Sequence, residues 1–392
     1  MATDNNNKVL NVPNLRFPEF GGEWEREKLK DKCSFYSGGT PSSSNKSYYN
    51  GEIPFIRSGE ISGDSTELFL SEFGLNNSSA KMVDIGDLLL ALYGATSGQI
   101  AISKIRGAIN QAILCIKSSY DNIFLKSVWE KHVDKTLQAY LQGGQGNLSA
   151  DIVKNLSFYF PSLDEQNKIS KLIVLIDERI ATQNKIIEDL KKLKVAITQK
   201  ISKDNSNRKV MLSELLTERY EKNKDLYPVH SVSVSEGIIN QVDFLGRSFA
   251  ANDISNYNVV CCGDIVYTKS PTGDFPYGIV KMSSIDTKVS VSPLYGVYHP
   301  SSEYVGIYLH NYFSNSLNAK NYLHKLIQKG AKNTINITNK RFLENEISLP
   351  NETLLKEYSL FISAFDLKIK SEQKALLLLQ KQKEYLLQQM FI

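Results

Sequence analysis

The residues that could carry out a reaction are scattered along this 392-residue sequence and match no complete catalytic motif. Gly94-Ala-Thr-Ser-Gly98 resembles a phosphate-binding loop, but it is too short and lacks the lysine that reaches the phosphates. Asp286-Thr-Lys288 resembles half of a nuclease signature, but no suitable acidic motif precedes it, so a solvated turn is the favoured interpretation. The Asn/Asp-Pro-Pro-aromatic tetrapeptide with which amino-methyltransferases hold a flipped base is missing. The sequence therefore predicts a chain that recognises something and leaves chemistry to its partners.

Metal-binding and redox-active side chains show no functional spacing either. The five histidines contain no H-E-x-x-H pattern, and the four cysteines contain no C-x-x-C pattern. We expect reduced structural thiols, structural or surface histidines, and no cofactor or metal in this chain. The first eight residues lack the apolar region of a signal peptide, and no apolar run approaches the roughly 20 residues of a membrane span. These observations predict a cytoplasmic location.

Polar loops are the features best suited to recognition. Ser37–Lys46 offers hydroxyls, backbone amides and a lysine for phosphate contact, and the net charge of +4 permits a nucleic-acid partner. Gln99 ends a polar loop after a predicted strand, where it could hydrogen-bond an adenine edge twice. Arg57 and Arg247 could equally form surface ion pairs. The candidate contact residues are Thr40, Ser42, Ser43, Lys46, Arg57, Tyr93, Thr96, Ser97, Gln99, Gln145, Asn147, Arg247, Lys269, Ser270, Thr272, Lys329, Lys332 and Asn333.

A degenerate internal repeat organises these loops. Asn147-Leu-Ser149 lies 14 residues before Pro161, and Asn336-Ile-Thr338 lies 14 residues before Pro350 (161−147 and 350−336). A chain that repeats a globular piece followed by a long helix is expected to build a pseudo-twofold object. Such an object presents two similar surfaces.

Short strand patterns and one helix pattern recur inside each copy. Residues 83–88 (VDIGDL) correspond to residues 260–265 (VCCGDI), and Gly, Ser and Asn clusters separate short β-type runs in the first copy. The sequence predicts helices over Ser127–Leu141 and Tyr304–Leu326.

Each of the two prolines precedes a long helix with heptad spacing. Ser162 and Glu165 have the arrangement of a capping box, whereas the second copy lacks it. Polar residues interrupt the heptads at Gln183 and Lys194 in the first helix, and at Glu372 and Lys383 in the second. The apolar heptad positions are Ile169, Ile173, Ile176, Ile180, Ile187, Leu190, Ile197 and Ile201, and then Ile362, Phe365, Ile369, Leu376, Leu379, Leu386 and Met390.

These two helices are predicted to pair antiparallel and to act as a spacer. A 35-residue helix is about 50 Å long, which is roughly 15 base pairs. Apolar residues beside the heptad seam widen it beyond a two-helix contact, so a partner subunit is expected to cover them. The predicted partner-binding residues are Leu172, Leu193, Leu355, Leu378 and Leu387.

Over essentially its whole length, the sequence resembles the specificity subunits of type I restriction–modification systems. The resemblance rests on the twofold repeat, on the P-S-L-D-E-Q-x-x-I junction from Pro161 to Ile169, on the Gly-Gly-Thr40-Pro-Ser42 loop and on the Pro-Asn-Leu-Arg16-Phe-Pro segment. The second copy departs from this pattern, because Pro350 is followed by Asn-Glu-Thr-Leu-Leu and no Gly-Gly-Thr-Pro loop is evident after residue 210.

The resemblance implies an α+β architecture of two similar α/β target-recognition domains in pseudo-twofold arrangement, separated by an antiparallel two-helix coiled-coil spacer. The expected divisions are an arm (1–12), a first recognition domain (13–161), a central helix (162–203), a second recognition domain (204–350) and a C-terminal helix (351–392).

The resemblance also implies a function. Each domain would read one half of a split, asymmetric double-stranded DNA site, and the spacer would set the gap between the halves. Two modification subunits would use S-adenosylmethionine to methylate adenine N6, and restriction subunits driven by ATP and Mg²⁺ would cleave unmethylated DNA.

Two other interpretations remain open at this point. One is a non-enzymatic, two-headed scaffold that binds proteins or glycans. The other is a self-sufficient nuclease or methyltransferase, which the missing motifs disfavour.

Overall fold

The structure is a computed structural model that describes residues 10–140, 148–247, 250–329 and 335–392. The chain divides into two compact units: unit 1 contains residues 1–184 and 375–392, and unit 2 contains residues 185–374. Within the described ranges, no helix is both long enough and apolar enough to cross a membrane.

The first half of the chain contains the elements up to the first long helix. Its strands are β1 (Glu25–Lys28), β2 (Cys33–Ser37), β3 (Tyr49–Ile56), β4 (Phe69–Leu70), β5 (Lys81–Val83), β6 (Leu88–Ala91), β7 (Ile100–Ile102), β8 (Gly107–Ile109), β9 (Ile113–Ser118) and β10 (Ser157–Phe160). Its helices are α1 (Leu29–Lys32), α2 (Glu72–Asn76), α3 (Asn122–Tyr140), α4 (Ala150–Asn155) and α5 (Leu163–Ser202).

The second half repeats this plan with different details. Its strands are β11 (Arg208–Met211), β12 (Leu216–Glu218), β13 (His230–Ser233), β14 (Gly237–Asn240), β15 (Asn258–Val260), β16 (Ile265–Thr268), β17 (Ile279–Met282), β18 (Val289–Val291), β19 (Gly296–Pro300), β20 (Gln328–Lys329), β21 (Ile335–Asn336) and β22 (Glu346–Leu349). Its helices are α6 (Leu212–Leu215), α7 (Gln241–Leu245), α8 (Glu303–Ser314), α9 (Ser316–His324), α10 (Asn339–Phe342) and α11 (Glu352–Met390).

An antiparallel four-stranded sheet forms the centre of each unit, with the order β2-β9-β6-β7 in unit 1 and β12-β19-β16-β17 in unit 2. The central strand β6 is buried on both faces because its side chains alternate between two cores. Leu88 and Leu90 pack in the core that contains Trp129, whereas Leu89 and Ala91 pack in the core that contains Ile56. A continuous run of apolar residues is therefore required here.

The turn before each central strand confirms the internal repeat at atomic detail. Gly86 has φ +93° and Gly263 has φ +84°, a left-handed conformation that favours glycine. The next residue in each copy is a buried aspartate, Asp87 or Asp264, whose Oδ2 accepts a backbone N–H from three residues earlier at 2.8 Å. The predicted equivalence of residues 83–88 and 260–265 is thus confirmed.

The smaller sheets repeat less closely. Unit 1 contains the order β4-β3-β8-β5, in which β3 and β8 run parallel. Unit 2 contains the separate ladders β15-β18 and β13-β14. The ladders β1-β10 and β11-β22 connect the strand that enters each copy with the strand that precedes each long helix.

Two helix predictions need correction. The predicted helix from Ser127 begins earlier, at Asn122. Asp121 Oδ1 accepts the backbone N–H groups of Ile123 and Phe124 and so caps the helix at this earlier start. The predicted helix over residues 304–326 is two helices, α8 and α9, divided at Asn315. The Asn315 side chain accepts the backbone N–H of Asn318 at 3.0 Å and so caps α9 at its start.

The starts of the two long helices also differ from the predictions. Ser162 Oγ accepts the Glu165 backbone N–H at 3.4 Å, but both oxygens of the Glu165 carboxylate bind Arg16, so no reciprocal capping box forms. The second copy does carry a cap, because Asn351 Oδ1 accepts the Leu354 backbone N–H at 2.9 Å. An asparagine does there what the serine does in the first copy.

Helices α5 and α11 pair antiparallel within each unit. In unit 1, Lys383 Nζ lies 2.8 Å from Asp177 Oδ1. In unit 2, Lys194 Nζ lies 2.6 Å from Asp366 Oδ1. Heptad residues such as Ile173 and Ile362 are fully buried between the helices and the adjacent cores. The predicted fold class, two similar α/β units joined by an antiparallel helix pair, is confirmed.

Candidate nucleic-acid interface

Strand direction brings several loops of unit 1 to one edge of the central sheet. Strands β2 and β6 both run antiparallel to β9, which lies between them. The loops that leave β2 and β6 therefore lie at the same edge as the loop that enters β9. Strand β3 runs parallel to β8, which leads into that same loop, so the segment after β3 ends nearby. We call these segments, residues 38–48, 57–62, 92–99 and 110–112, edge 1.

Hydrogen bonds join the segments of edge 1. Thr40 Oγ1 donates to Gln111 Oε1 at 2.5 Å, and the Leu92 backbone N–H donates to the Ala112 carbonyl at 2.8 Å. Gly38 is required for this close approach, because a Cβ there would lie 1.7 Å from the Ile109 carbonyl oxygen. Three loops that are distant in sequence are consequently held together.

The loop between β6 and β7 presents some predicted residues and uses others internally. Tyr93 and Gln99 are exposed, and Gln99 stands at the rim of a pocket of about 530 Å³ beside α3. Ser97 instead donates its hydroxyl to the Leu92 carbonyl at 3.0 Å and so stabilises the loop. Thr96 is half-buried, and its carbonyl accepts the Gln99 backbone N–H at 2.9 Å.

The serine-rich segment of edge 1 is exposed. Ser43 and Lys46 face solvent, and Ser42 Oγ lies 2.8 Å from Ser44 Oγ. These hydroxyls and the ammonium group remain accessible to a phosphate. Sequence reasoning missed Gln111, which is exposed beside Thr40; its signal was a polar Asn-Gln pair between two apolar strands.

Arg57 lies at edge 1, and of the two predicted roles, DNA contact or surface ion pair, the structure shows the ion pair. Its guanidinium donates to Glu60 through Nε at 3.0 Å and Nη2 at 2.9 Å, and to Glu67 at 2.6 Å. These hydrogen bonds lower the pKa of Glu60 to about 2. Two carboxylates therefore offset the positive charge of Arg57, which would otherwise attract a phosphate. The ion-pair alternative describes Arg57 better.

The equivalent edge of unit 2 follows from the same strand order. Strands β12 and β16 both run antiparallel to β19, so the loops after them lie beside the loop that enters β19. We call these segments, residues 219–229, 269–278 and 292–295, edge 2. It is built from residues that do not resemble those of edge 1.

The predicted residues of edge 2 have mixed environments. Lys269 is half-buried, and burial lowers its pKa while nearby Glu218 raises it. Ser270 is exposed. Thr272 forms a tight turn, in which its backbone N–H donates to the Phe275 carbonyl at 3.1 Å.

Edge 2 also carries apolar residues that sequence reasoning missed. Tyr220, Leu226 and Leu294 are 76%, 63% and 71% exposed. Leu226 has φ +57°, an uncommon conformation for a residue with a branched side chain. The second copy has no Gly-Gly-Thr-Pro loop, so only the strand order identifies residues 219–229 as the equivalent of residues 38–48.

Several predicted contact residues lie away from these edges or outside the described residues. Arg247 follows α7, and Lys329 ends β20; neither belongs to the segments of edge 2. Four further predicted residues lie outside the described residues: Gln145, Asn147, Lys332 and Asn333.

The predicted partner-binding leucines divide into accessible and buried groups. Leu378 is 59% exposed and, with half-buried Leu172, lines a groove of about 960 Å³ between α5 and α11 in unit 1. Leu193 is 48% exposed in unit 2, and Leu387 packs half-buried on the core of unit 1. The assignment of Leu355 is wrong, because it is 5% exposed within the core of unit 2 and offers a partner almost no surface.

The junction motifs of the first copy meet in space. Arg16 donates to Glu165 through Nε at 2.8 Å and Nη2 at 2.7 Å, and the Glu165 side chain is 1% exposed. Gln166 donates to the Pro161 carbonyl at 2.9 Å and accepts the Asp121 backbone N–H at 3.1 Å. These residues stabilise the start of α5. In the described part of the chain, no group of three or more His, Cys, Asp or Glu side chains could hold a metal ion.

The first half of the chain is similar to a known protein family. The profile of the family described as "Type I restriction modification DNA specificity domain" matches residues 21–192. The type I restriction enzyme MjaIX specificity subunit of Methanocaldococcus jannaschii is 26% identical over 182 residues, or 44% of this chain and 42% of the relative. The HindI specificity subunit of Haemophilus influenzae is 26% identical over 183 residues, or 43% of this chain and 39% of the relative. Each match therefore spans less than half of the relative's length.

Comparison with solved structures extends the likeness of fold to nearly the whole chain. The type I restriction–modification S subunit from M. genitalium has a TM-score of 0.59 at 12% identity, covering 97% of this chain and 99% of that one. A chain from a structure described as "complex assembly and conformational transition of the type I R-M system" has a TM-score of 0.54 at 14% identity, covering 93% of this chain and 96% of that one. The resemblance to type I specificity subunits is confirmed: residues 21–192 match the model of the type I restriction modification DNA specificity domain, and the fold of nearly the whole chain is similar to that of the solved S subunit.

Proposed function

We propose that this chain is the DNA sequence-recognition subunit of a type I restriction–modification complex. Unit 1 would read one half of a split, asymmetric site through edge 1, and unit 2 would read the other half through edge 2. The observation that carries the proposal is the repetition of one sheet edge in both units, built from the same strand order but different side chains. Two sheets with the same strand order but different side chains at their edges suit two different half-sites.

The chemistry of edge 1 supports direct reading of bases. Gln99 is exposed, and a glutamine amide can form two hydrogen bonds with an adenine edge. Ser43 and Lys46 would contact phosphates, which positions the protein but carries no sequence information. Tyr93 adds an exposed aromatic ring to the same loop as Gln99.

The chemistry of edge 2 is more apolar. Leu226 and Leu294 would contact thymine methyl groups or the faces of partly unstacked bases. Ser270 would supply a hydrogen bond, and Lys222 and Lys224 stand in the same loop as Leu226. The second half-site would consequently be recognised by different contacts from the first.

Partner subunits would supply the chemistry that this chain lacks. Modification subunits would use S-adenosylmethionine to methylate adenine N6, and restriction subunits would use ATP and Mg²⁺ to cleave unmethylated DNA. The groove of unit 1 offers exposed Leu175 and Leu378, apolar side chains that a modification subunit would cover. The scaffold alternative receives no support from the MjaIX and HindI relatives, which are both named specificity subunits.

Sequencing of methylated bases tests the reading of half-sites. The chain is produced with its modification subunits, and methylated sites are compared between the parent, Gln99→Ala and Leu294→Ala. We expect a split adenine-methylated motif in which Gln99→Ala relaxes one half and Leu294→Ala relaxes the other. Lys28→Ala, at an exposed position on β1 away from edge 1, is the matched control and should leave both halves unchanged. A change in the same half for both variants, or no split motif, would contradict the proposal.

Salt dependence provides a second test of DNA binding. Phosphate contacts release counterions, so the affinity of the assembled complex should fall linearly on a logarithmic plot against salt concentration. Lys46→Ala should make that slope shallower by roughly one unit while leaving the methylated sequence unchanged. A slope that is flat in the parent complex would count against nucleic-acid recognition.

The helix pair is proposed to set the gap between the half-sites. Seven residues inserted after Thr182 and seven after its equivalent Ser371 (371−182 = 350−161) would lengthen both helices by about 10 Å, or about three base pairs. The two half-site sequences should persist with a longer gap. Insertion into α5 alone is the control, because it would separate Lys194 from Asp366 or Asp177 from Lys383. This single insertion should abolish methylation by the complex. An unchanged gap after the paired insertion would refute the spacer proposal.

A further inference from the structure

The two long helices carry the same charged residues at equivalent positions. Asp177 corresponds to Asp366 and Lys194 corresponds to Lys383, because both pairs have the separation of the two prolines (366−177, 383−194 and 350−161). Most of the other outward positions differ between the helices. The identity of these four positions therefore calls for a reason that acts on both copies.

The equivalent residues bind each other across the helix pair. Lys383 of α11 pairs with Asp177 of α5 at 2.8 Å, and Lys194 of α5 pairs with Asp366 of α11 at 2.6 Å. Each ion pair lies inside one unit. The second pair is thus the first pair with the roles of the two helices exchanged.

Both lysines occupy heptad positions where the other residues are mostly apolar. The Lys194 and Lys383 side chains are only 16% and 19% exposed, whereas their aspartate partners are 45% and 40% exposed. An ammonium group in an apolar seam is unfavourable unless a carboxylate reaches it. Lys383 has a second carboxylate, Glu130, at 3.6 Å, which supports its charged form in unit 1.

A shift of one helix against the other by one heptad would keep the apolar contacts but lose both ion pairs. Seven residues to either side of Asp177 are Asn184 and Ser170, which are neutral. Seven residues to either side of Asp366 are Gln373 and Ser359, which are also neutral. In the slip that brings Lys194 to Ser359 and Lys383 to Ser170, both lysines would be in the seam without a carboxylate. In the opposite slip, Glu372 would lie across from Lys194, so the first slip is the register that the two ion pairs exclude. The apolar residues alone cannot distinguish these registers, because they recur at most heptad positions of both helices.

We propose that Asp177–Lys383 and Lys194–Asp366 are the register-determining contacts of the α5–α11 pair. A single polar residue at a seam position is known to specify register at a cost in stability. Here two equivalent lysines do so, one in each unit. The inference concerns pairing within this chain and needs no DNA, so its failure would leave the proposed function untouched.

Disulfide trapping of engineered cysteines measures the register directly. Ile180 is three residues after Asp177 and Leu379 is four residues before Lys383, so antiparallel helices in the native register place them side by side. In a chain whose four natural cysteines are replaced by serine, the Ile180→Cys/Leu379→Cys pair should cross-link readily. The Ile173→Cys/Leu379→Cys pair reports the slip of one heptad that brings Lys194 to Ser359, and it should cross-link at a low background level.

Lys194→Met/Lys383→Met is the decisive variant. Methionine has a similar length and suits the apolar seam, so the variant should melt at a higher temperature than the parent. Its slipped-register cross-link should nevertheless rise about 25-fold, since two pairs are lost and each is worth about fivefold in the equilibrium between registers. A merely stabilising role for the ion pairs predicts the opposite, a lower melting temperature with an unchanged cross-linking pattern, and that result would overturn the proposal.

Charge exchange completes the test. Lys194→Asp/Lys383→Asp should also raise the slipped cross-link, and addition of Asp177→Lys/Asp366→Lys should restore the parent pattern. Failure of the exchange to restore it would overturn the proposal. Glu188→Lys/Lys192→Glu is the matched control, because this exposed pair lies within α5 alone and its exchange should not affect the register.

Discussion

The substitution Arg16→Ala should destabilise unit 1 more than its position in a polar N-terminal segment suggests. Arg16 forms two hydrogen bonds with the carboxylate of Glu165, which is 1% exposed, and two more with the carbonyls of Gly21 and Gly22 at 3.0 and 2.6 Å. Removal of the guanidinium leaves a carboxylate buried without a counter-charge and two carbonyl groups without their donor. This loss removes the buried contact between the N-terminal segment and the start of α5, while the exposed contact between Glu19 and Lys168 remains.

The expected magnitude follows from the burial of the pair. Removal of one partner from a buried ion pair costs about 3–5 kcal/mol. The lower end applies because the Arg16 side chain is 16% exposed and water can partly solvate the vacated site. For a unit of this size, about 3 kcal/mol corresponds to a fall in melting temperature of roughly 6–12 °C.

Tryptophan fluorescence isolates this effect. The chain contains two tryptophans, Trp24 and Trp129, and both are 2% exposed in the core of unit 1. Their emission therefore reports the unfolding of unit 1, while unit 2 contributes no tryptophan signal. A thermal scan of the purified full chain, with emission recorded against temperature, compares the variant with the parent.

Two further variants decide whether the reasoning is correct. Glu19→Ala removes a contact of the same kind, between the N-terminal segment and Lys168 of α5, but both side chains are about half-exposed, at 44% and 45%. It should cost less than about 1 kcal/mol. Glu165→Gln in the Arg16→Ala background removes the buried charge and should recover part of the loss. If Arg16→Ala costs no more than Glu19→Ala, the argument from burial is refuted.

Three other expectations concern acid stability and loop geometry. The pKa of Glu60 is lowered to about 2 by its hydrogen bonds with Arg57, below the roughly 4.3 of an unfolded chain, so this pair stabilises the fold above about pH 5 and the effect is lost as the pH falls towards 2. Arg57→Ala should therefore lower the melting temperature at pH 6 and weaken its dependence on pH between 5 and 2; an unchanged pH dependence would count against this. Burial lowers the pKa of His310 to about 3, below the roughly 6.5 of an unfolded histidine, so its contribution to stability is lost as the pH falls from about 6.5 to 3. His310→Asn, followed by far-ultraviolet circular dichroism, should remove that dependence, and an identical acid profile would contradict it. Gly38→Ala should destabilise the chain to urea by about 1–3 kcal/mol, because its Cβ would lie 1.7 Å from a carbonyl oxygen, whereas Gly21→Ala, with nothing within 4 Å of its Cβ, should be neutral; equal effects would refute the steric argument.

Local patterns were sufficient to predict the architecture. The heptad spacing from Ile169 onward predicted a long helix, because the helical period can be recognised in a short stretch of consecutive residues. The paired Asp-containing turns predicted the repeat, because Gly86 and Gly263 both stand where a left-handed backbone is needed. The junction motifs predicted the family for the same reason, since they are short and contiguous.

Local patterns failed where a residue's role depends on a distant partner. Glu165 has the spacing of a capping box, yet Arg16, 149 residues away, binds its carboxylate. Leu355 has the spacing of an exposed leucine, yet the core of unit 2 covers it. Arg57 was predicted either to contact DNA or to form a surface ion pair, and only its neighbours Glu60 and Glu67 show that its charge is offset.

The sequence by itself determined the two copies, the helices between them and the polar loops that make recognition possible, because each of these is a property of consecutive residues. The tertiary structure decided which loops share an edge, because the order β2-β9-β6-β7 is a matter of long-range hydrogen bonding that no local period records. It also decided that Lys194 and Lys383 find carboxylates on the opposite helix. In the sequence these lysines only interrupt the apolar heptad positions. The pairing of the two helices explains them, because it brings each lysine next to an aspartate.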